Sequence, residues 1–177
     1  MLFRSVATEA QRAAVALADR IGATIDSSTS LRWRGGPSAV QNVGEVTCSL
    51  GEIKNRADLL IFWGCNPVES HPRHFERYCV DPRGQFVPNG RADRTLVAVD
   101  VERTATTEQA DLFWKIQPRS DFEVLWALRA TLMGIDLDDA SLQGTGVDQA
   151  MLQDLVERMK RAKFGVLFFG EIGRAHV

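Results

Sequence analysis

Apolar residues in this chain follow helical spacing in some stretches and form unbroken runs in others. From residue 7 to 22, Ala10, Ala13, Ala14, Leu17, Ala18 and Ile21 recur every three or four positions, predicting a helix with Thr8 near its start and Gly22 at its end. Residues 23–25 read as a short strand, and residues 26–29 as a polar loop. Residues 32–37 are rich in Arg and Gly around Trp33, a composition unsuited to a helix interior. A short helix is expected over 51–57, followed by the run 58–63, apolar without a break after Asp58, which Gly64 ends. A run of that kind, β-branched and aromatic and closed by a breaker, predicts a strand covered on both faces. Residues 69–78 read as helical and 81–93, with Pro82, Gly84, Pro88 and Gly90, as a long loop.

The pattern then repeats. Strands are predicted at 95–100, 112–116 and 164–169, each apolar on both faces. Helices are predicted at 106–110, from Ser120 or Asp121 to Met133, and at 147–162. The helix after Asp121 should bury Phe122, Leu125, Trp126, Leu128 and Leu132. Strands alternating with helices predict an α/β fold with a mostly parallel sheet and helices on both faces.

Composition narrows the function classes. The 177 residues carry 21 basic and 23 acidic side chains, a net charge of −2, so no basic excess exists to displace counterions from a nucleic acid. The longest apolar runs fall far short of the ~20 residues a membrane helix needs. No secretory leader pattern opens the sequence. Three cysteines, Cys48, Cys65 and Cys79, form no CxxC pair and suit free thiols in a reducing cytoplasm. The first five and last seven residues read as translated library adaptor in opposite orientations, so residues 6–170 are expected to be an interior fragment of a longer gene. On that reading His176 carries no functional weight.

In an open parallel sheet, ligands bind beyond the carboxyl ends of the strands. Three segments fall there. Gly64 permits close backbone approach, and Asn66 offers a donor and an acceptor beside the fixed Pro67, with Glu69 and His71 following. Asp100, followed by Glu102, Arg103 and Thr104, can accept hydrogen bonds from a ribose or a base. Asp121, in the turn from Pro118, can read the two N–H donors of a guanine. Each feature alone is ordinary loop punctuation; their order along the chain is more specific. A generic dinucleotide-binding domain is a weaker reading, because no GxGxxG follows any predicted strand.

That order resembles the molybdopterin-guanine-dinucleotide oxidoreductases and, within them, the B subunit of formylmethanofuran dehydrogenase. The resemblance rests on residues 51–58, on Trp63 through Pro67, on His71 through His74, and on 110–121. It implies an α/β region of that fold. Gly64, Asn66 and Pro67 would border one pterin dinucleotide, and Asp100 and Asp121 its nucleotide end. Catalytic members hold tungsten or molybdenum between two such cofactors and interconvert CO2 and formate.

The chain departs from this pattern where the metal would be held. Redox-active members carry Cys-His-Gly-Pro, whereas here the stretch reads Arg34-Gly35-Gly36-Pro37. A guanidinium keeps its proton and has no lone pair for a metal. Cys48 lies fourteen positions from Arg34, too far to replace the missing thiolate. Glu102 and Arg119 add charge and bulk where phosphates should approach. These departures resemble the degenerate B subunit of the bacterial formyltransferase/hydrolase complex, a non-redox partner of subunits that carry formyl from tetrahydromethanopterin to formate. No metal or pterin is expected in that branch, and the partners would be the other subunits of the complex. The catalytic tungsten or molybdenum subunit is the alternative.

Overall fold

The computed structural model describes residues 8–25, 35–44 and 46–170 and divides at Glu45 into two compact units. Arg34 lies outside the described residues.

The first unit contains α1 (Thr8–Ile21) and α2 (Gly35–Val43). Gly22 ends α1 at φ 66°, as its place after the last apolar position predicts. Only Ala18 of the α1 stripe is buried; Leu17 and Ile21 are 59% and 66% exposed. Residues 23–25 form no strand, because no neighbouring strand is there to pair with them among the described residues. Helix α2 is not expected from the apolar pattern. It accommodates Pro37 in its first turn, where amides lack intrahelical acceptors in any case.

The second unit carries the sheet. Helix α3 (Leu50–Arg56) opens on a capping box in which Ser49 and Glu52 bond each other's backbone amides. Strands β1 (Leu59–Trp63), β2 (Thr95–Asp100), β3 (Leu112–Lys115) and β4 (Gly165–Phe169) form one sheet in the order β3-β2-β1-β4. Every pairing is parallel, with Ile61 beside Val97 and Leu167. The helices α4 (Pro67–Ser70), α5 (Asp121–Leu132), α6 (Asp139–Leu142) and α7 (Gln149–Arg161) complete the unit, with 3-10 turns at Gly90–Asp93 and Thr107–Gln109. The expected helix over 69–78 is two pieces, α4 and the π-helical turn Phe75–Cys79.

Side chains alternate across the strands, so each face has its own core. Leu59, Ile61, Trp63, Val97, Val99 and Trp114 pack with α5, α6 and α7. Leu60, Phe62 and Leu96 pack on the other face with Ile53, Phe75 and Cys79. The α/β architecture with helices on both faces is therefore as expected.

Two details differ. On α5 the buried side chains are Val124, Ala127 and Leu128, while Phe122 and Trp126 are 68% and 50% exposed. The first turn of α5 is fixed by Asp121, which Trp63 holds, and by Ser120, whose hydroxyl donates to the Gln117 and Thr145 carbonyls. That anchoring rotates Phe122 outward. Strand β4 is covered on one face only: Val166 packs inward, but Leu167 and Phe169 are 46% and 66% exposed. As an edge strand, β4 contributes no residue to the core beneath α5 and α7.

Candidate functional site

The carboxyl ends of the strands gather the residues singled out from the sequence. The order of strands reverses between β1 and β4, the position at which an open α/β sheet leaves a crevice. Gly64 follows β1 with φ 56°, and its amide donates to the Val99 carbonyl at 2.9 Å. A Cβ at Gly64 would meet no atom within 4 Å, so the space directly beside it is open. Gly170, after β4, donates to the Trp63 carbonyl at 3.0 Å, and a Cβ there would lie 2.3 Å from the Gly64 carbonyl oxygen. The two crossing segments thus touch backbone to backbone.

Asn66 stands before α4, with buried Pro67 as its first residue. Its Oδ1 accepts from the Thr106 hydroxyl at 2.8 Å, and Thr106 Oγ1 accepts from the Val68 amide at 3.3 Å. Thr106 is fully buried, yet nothing in the sequence distinguishes it from its neighbours. Thr104 and Thr107 lock the same loop through mutual amide–hydroxyl bonds. The β1 and β2 ends are therefore cross-linked by side chains of the second loop.

Asp100 and Asp121 are both 8% exposed. Asp121 Oδ1 accepts from the Trp63 indole at 2.8 Å. Asp100 Oδ1 accepts from the Val101 amide at 2.7 Å. Burial pushes the Asp100 carboxyl above its ordinary range, and the charges of Glu102 and Asp121 push it further, against the amides of Val101 and Glu102. Cys65 sits beside this cluster with its thiol directed to the Phe168 carbonyl at 3.6 Å. Burial raises that thiol to about 11, so it stays protonated. His71 is exposed, its Nδ1 2.9 Å from Ser70 Oγ. His74 lies edge-on to Phe168 at 5.2 Å, and burial lowers its pKa, as for a neutral packing imidazole.

The carboxylates near the end of β2 fit the diphosphate of a pterin dinucleotide poorly. Among the described residues no group of three or more His, Cys, Asp or Glu side chains converges as a metal site, and the position of Arg34 lies outside those residues. A diphosphate approaching the β2 end would meet Asp100, Glu102 and Asp121, whose charges oppose it. Gly64, Asn66, Pro67, Asp100 and Asp121 are brought to one end of the sheet, and one side-chain oxygen each of Asn66, Asp100 and Asp121 bonds to the chain itself.

One buried group elsewhere has no counterpart in the sequence pattern. Arg94, 4% exposed, donates to the carbonyls of Ala57, Val80, Pro82 and Lys54 at 2.5–3.1 Å. It binds the C-terminus of α3 to the loop after the π-helical turn. An arginine just before a strand gives no signal of this in sequence.

No family model matches the chain. It is 46% identical over 157 residues to the B subunit of the tungsten-containing formylmethanofuran dehydrogenase 2 of Methanocaldococcus jannaschii, covering 88% of this chain and 35% of that protein. It is 41% identical over 167 residues to the protein of the same name from Methanococcus maripaludis, covering 93% and 38% respectively. The chain thus spans little more than a third of these relatives. Its fold is similar to a chain of the formyltransferase/hydrolase complex of Methylorubrum extorquens, solved with methylofuran, at TM-score 0.64 and 22% identity over 96% of this chain and 45% of that one. At that identity the match speaks for the fold. With the sequence blocks in order, the parallel sheet in place and relatives above 40% identity along nearly its whole length, the chain belongs to the family of formylmethanofuran dehydrogenase B subunits.

Proposed function

We propose that this chain is a portion of the B subunit of a formylmethanofuran dehydrogenase-like complex in one-carbon metabolism, and that this subunit is a non-redox scaffold. In this reading its partners are the subunits that transfer formyl from tetrahydromethanopterin to a furan carrier and hydrolyse it to formate. The observation that carries the proposal is the internal bonding of the strand-end groups. Trp63 engages one oxygen of Asp121, Thr106 engages the side-chain oxygen of Asn66, and Glu102 and Asp121 lie within electrostatic range of Asp100 at the end of β2. Arg34, in place of a ligating cysteine, points the same way from the sequence.

A second reading has its own support. Both curated relatives are B subunits of tungsten-containing formylmethanofuran dehydrogenases, at 46% and 41% identity. The experiment is to purify the full-length subunit with its native partners and measure tungsten and molybdenum by mass spectrometry. A metal-free complex that hydrolyses formyl-tetrahydromethanopterin and oxidises no formate supports the scaffold. Stoichiometric tungsten with dye-linked formate oxidation establishes the catalytic subunit instead.

A further inference from the structure

At the opposite end of the sheet, beside the amino ends of β1 and β4, lies a groove of about 400 Å³. Its volume falls within the roughly 300–1,000 Å³ typical of small-molecule sites. Arg56, Lys163, Phe86, Pro88 and Phe164 supply its cationic and apolar lining.

Both carboxylates in the wall are engaged by the chain. Asp58 accepts the Lys163 and Phe164 amides at 2.8 and 2.9 Å. Asp93 accepts the backbone and side-chain amides of Asn89 at 2.7 and 2.9 Å, bonds that hold its carboxyl below the usual range. The cations are not so engaged. Among the described residues neither Arg56 nor Lys163 forms an ion pair within 4 Å. The Arg56 guanidinium lies over the Phe164 ring at 4.5 Å, which leaves its N–H fork free to turn toward the groove. Phe86, 64% exposed, presents an apolar surface across the groove.

The wall is also held in place. The Phe86 amide donates to the Asn55 carbonyl at 2.8 Å, and the Gln85 amide to the Asn55 side chain at 3.3 Å. Gly84 lets this loop close onto α3, since a Cβ there would stand 2.2 Å from the Lys54 carbonyl oxygen. The groove thus combines a fixed aromatic wall with two cations that form no close ion pair, although Glu52 lies within electrostatic range of Arg56, and Asp58 and Asp93 line the same groove.

We propose that this groove binds an arylalkyl carboxylate, its ring against Phe86 and Pro88 and its carboxylate forked by Arg56 with Lys163 in support. A free aromatic acid and the C-terminal phenylalanine of another chain share that chemistry.

The test uses the full-length subunit in its complex, with 3-phenylpropanoate, its alcohol analogue 3-phenylpropanol, and Gly-Gly-Phe with free or amidated C-terminus. Titration is followed by ligand-observed NMR. Saturable binding of the acid, with the alcohol at least ~10-fold weaker, supports a small-molecule site. Binding of only the free-terminus peptide supports capture of a chain end. Arg56→Met should weaken either by about 10-fold, and Arg56→Lys by less, since the charge remains but the fork is lost. Equal binding of acid and alcohol, no binding of any probe, or unchanged affinity in Arg56→Met overturns the proposal. Far-UV circular dichroism of each variant confirms that folding is retained, and Lys163→Met gives a second reading of the same site should Arg56→Met unfold.

Discussion

The indole of Trp63 and the carboxylate of Asp121, 58 positions apart, meet in a buried hydrogen bond of 2.8 Å. This contact ties the end of β1 to the first turn of α5 and fixes which face of α5 turns inward. It also engages one of the two carboxylate oxygens of Asp121. Trp63→Phe keeps most of the packing but leaves Asp121 without its donor. An unsatisfied buried acceptor costs roughly 1–3 kcal/mol. Urea denaturation of the variant should show a stability lowered by that much, with an unchanged slope.

Arg94 should prove more important to stability than any surface ion pair of the chain. Its guanidinium serves four carbonyls, and Arg94→Met orphans all of them in a buried setting. Charge-assisted bonds of this kind contribute about 1.5–3 kcal/mol, so a loss of roughly 3 kcal/mol or more is expected. By contrast, Arg161→Ala, which removes an exposed pair with Glu157, should change the melting temperature little. Comparing the two variants by calorimetry checks the ranking.

The Asp100 carboxyl carries a pH signature. Its pKa is raised by burial first and by Glu102 and Asp121 after it. A raised acid favours folding while protonated, so its stabilising contribution is full below the ordinary aspartate value near ~3.9 and is lost as pH rises through the folded value. Asp100→Asn removes that loss. The stability of the variant relative to the wild type should therefore increase as pH rises from acid toward neutrality. Denaturation midpoints across that range would show it, and a flat difference would rule the assignment out.

Gly146 holds φ 87° where its chain passes the end of β3, and a Cβ there would lie 2.5 Å from the Lys115 carbonyl oxygen. Gly146→Ala forces an unfavourable backbone region and a backbone clash together, an effect of about 1–3 kcal/mol. Loss of the adjacent Gln117 amide bond to the Thr145 carbonyl, 2.8 Å in the wild type, should appear as faster exchange of that amide.

Strand β4 should drive self-association of the 177-residue chain, because Leu167 and Phe169 are exposed on an edge strand. Replacing both with Lys places charge on that face. Sedimentation velocity should then show fewer oligomers at equal concentration, with the fold retained.

Much of this molecule follows from local sequence. The runs ending at Trp63 and Asp100 are apolar on both faces, and a central parallel strand is the structure that buries both. The Ser49–Glu52 box and Gly22 mark helix ends by chemistry confined to a single turn. The gathering of Gly64, Asn66, Pro67, Asp100 and Asp121 at one end follows as well, because parallel strands bring their carboxyl ends together. Sequence could not decide which of their atoms remain available. That depends on Trp63 reaching Asp121 and Thr106 reaching Asn66, partners set by register and helix rotation across 58 and 40 positions. The same holds for Phe122, whose helical spacing suits a core that its anchored first turn carries it away from. It holds for Arg94, whose four carbonyls converge only after α3 and the loop beyond Cys79 have packed against the sheet. Local pattern fixes which segments become strands and helices, because each pattern has one way to bury its apolar side. Long-range hydrogen bonds are a property of the packed whole, and in this chain they determine what the candidate site has left to offer a ligand.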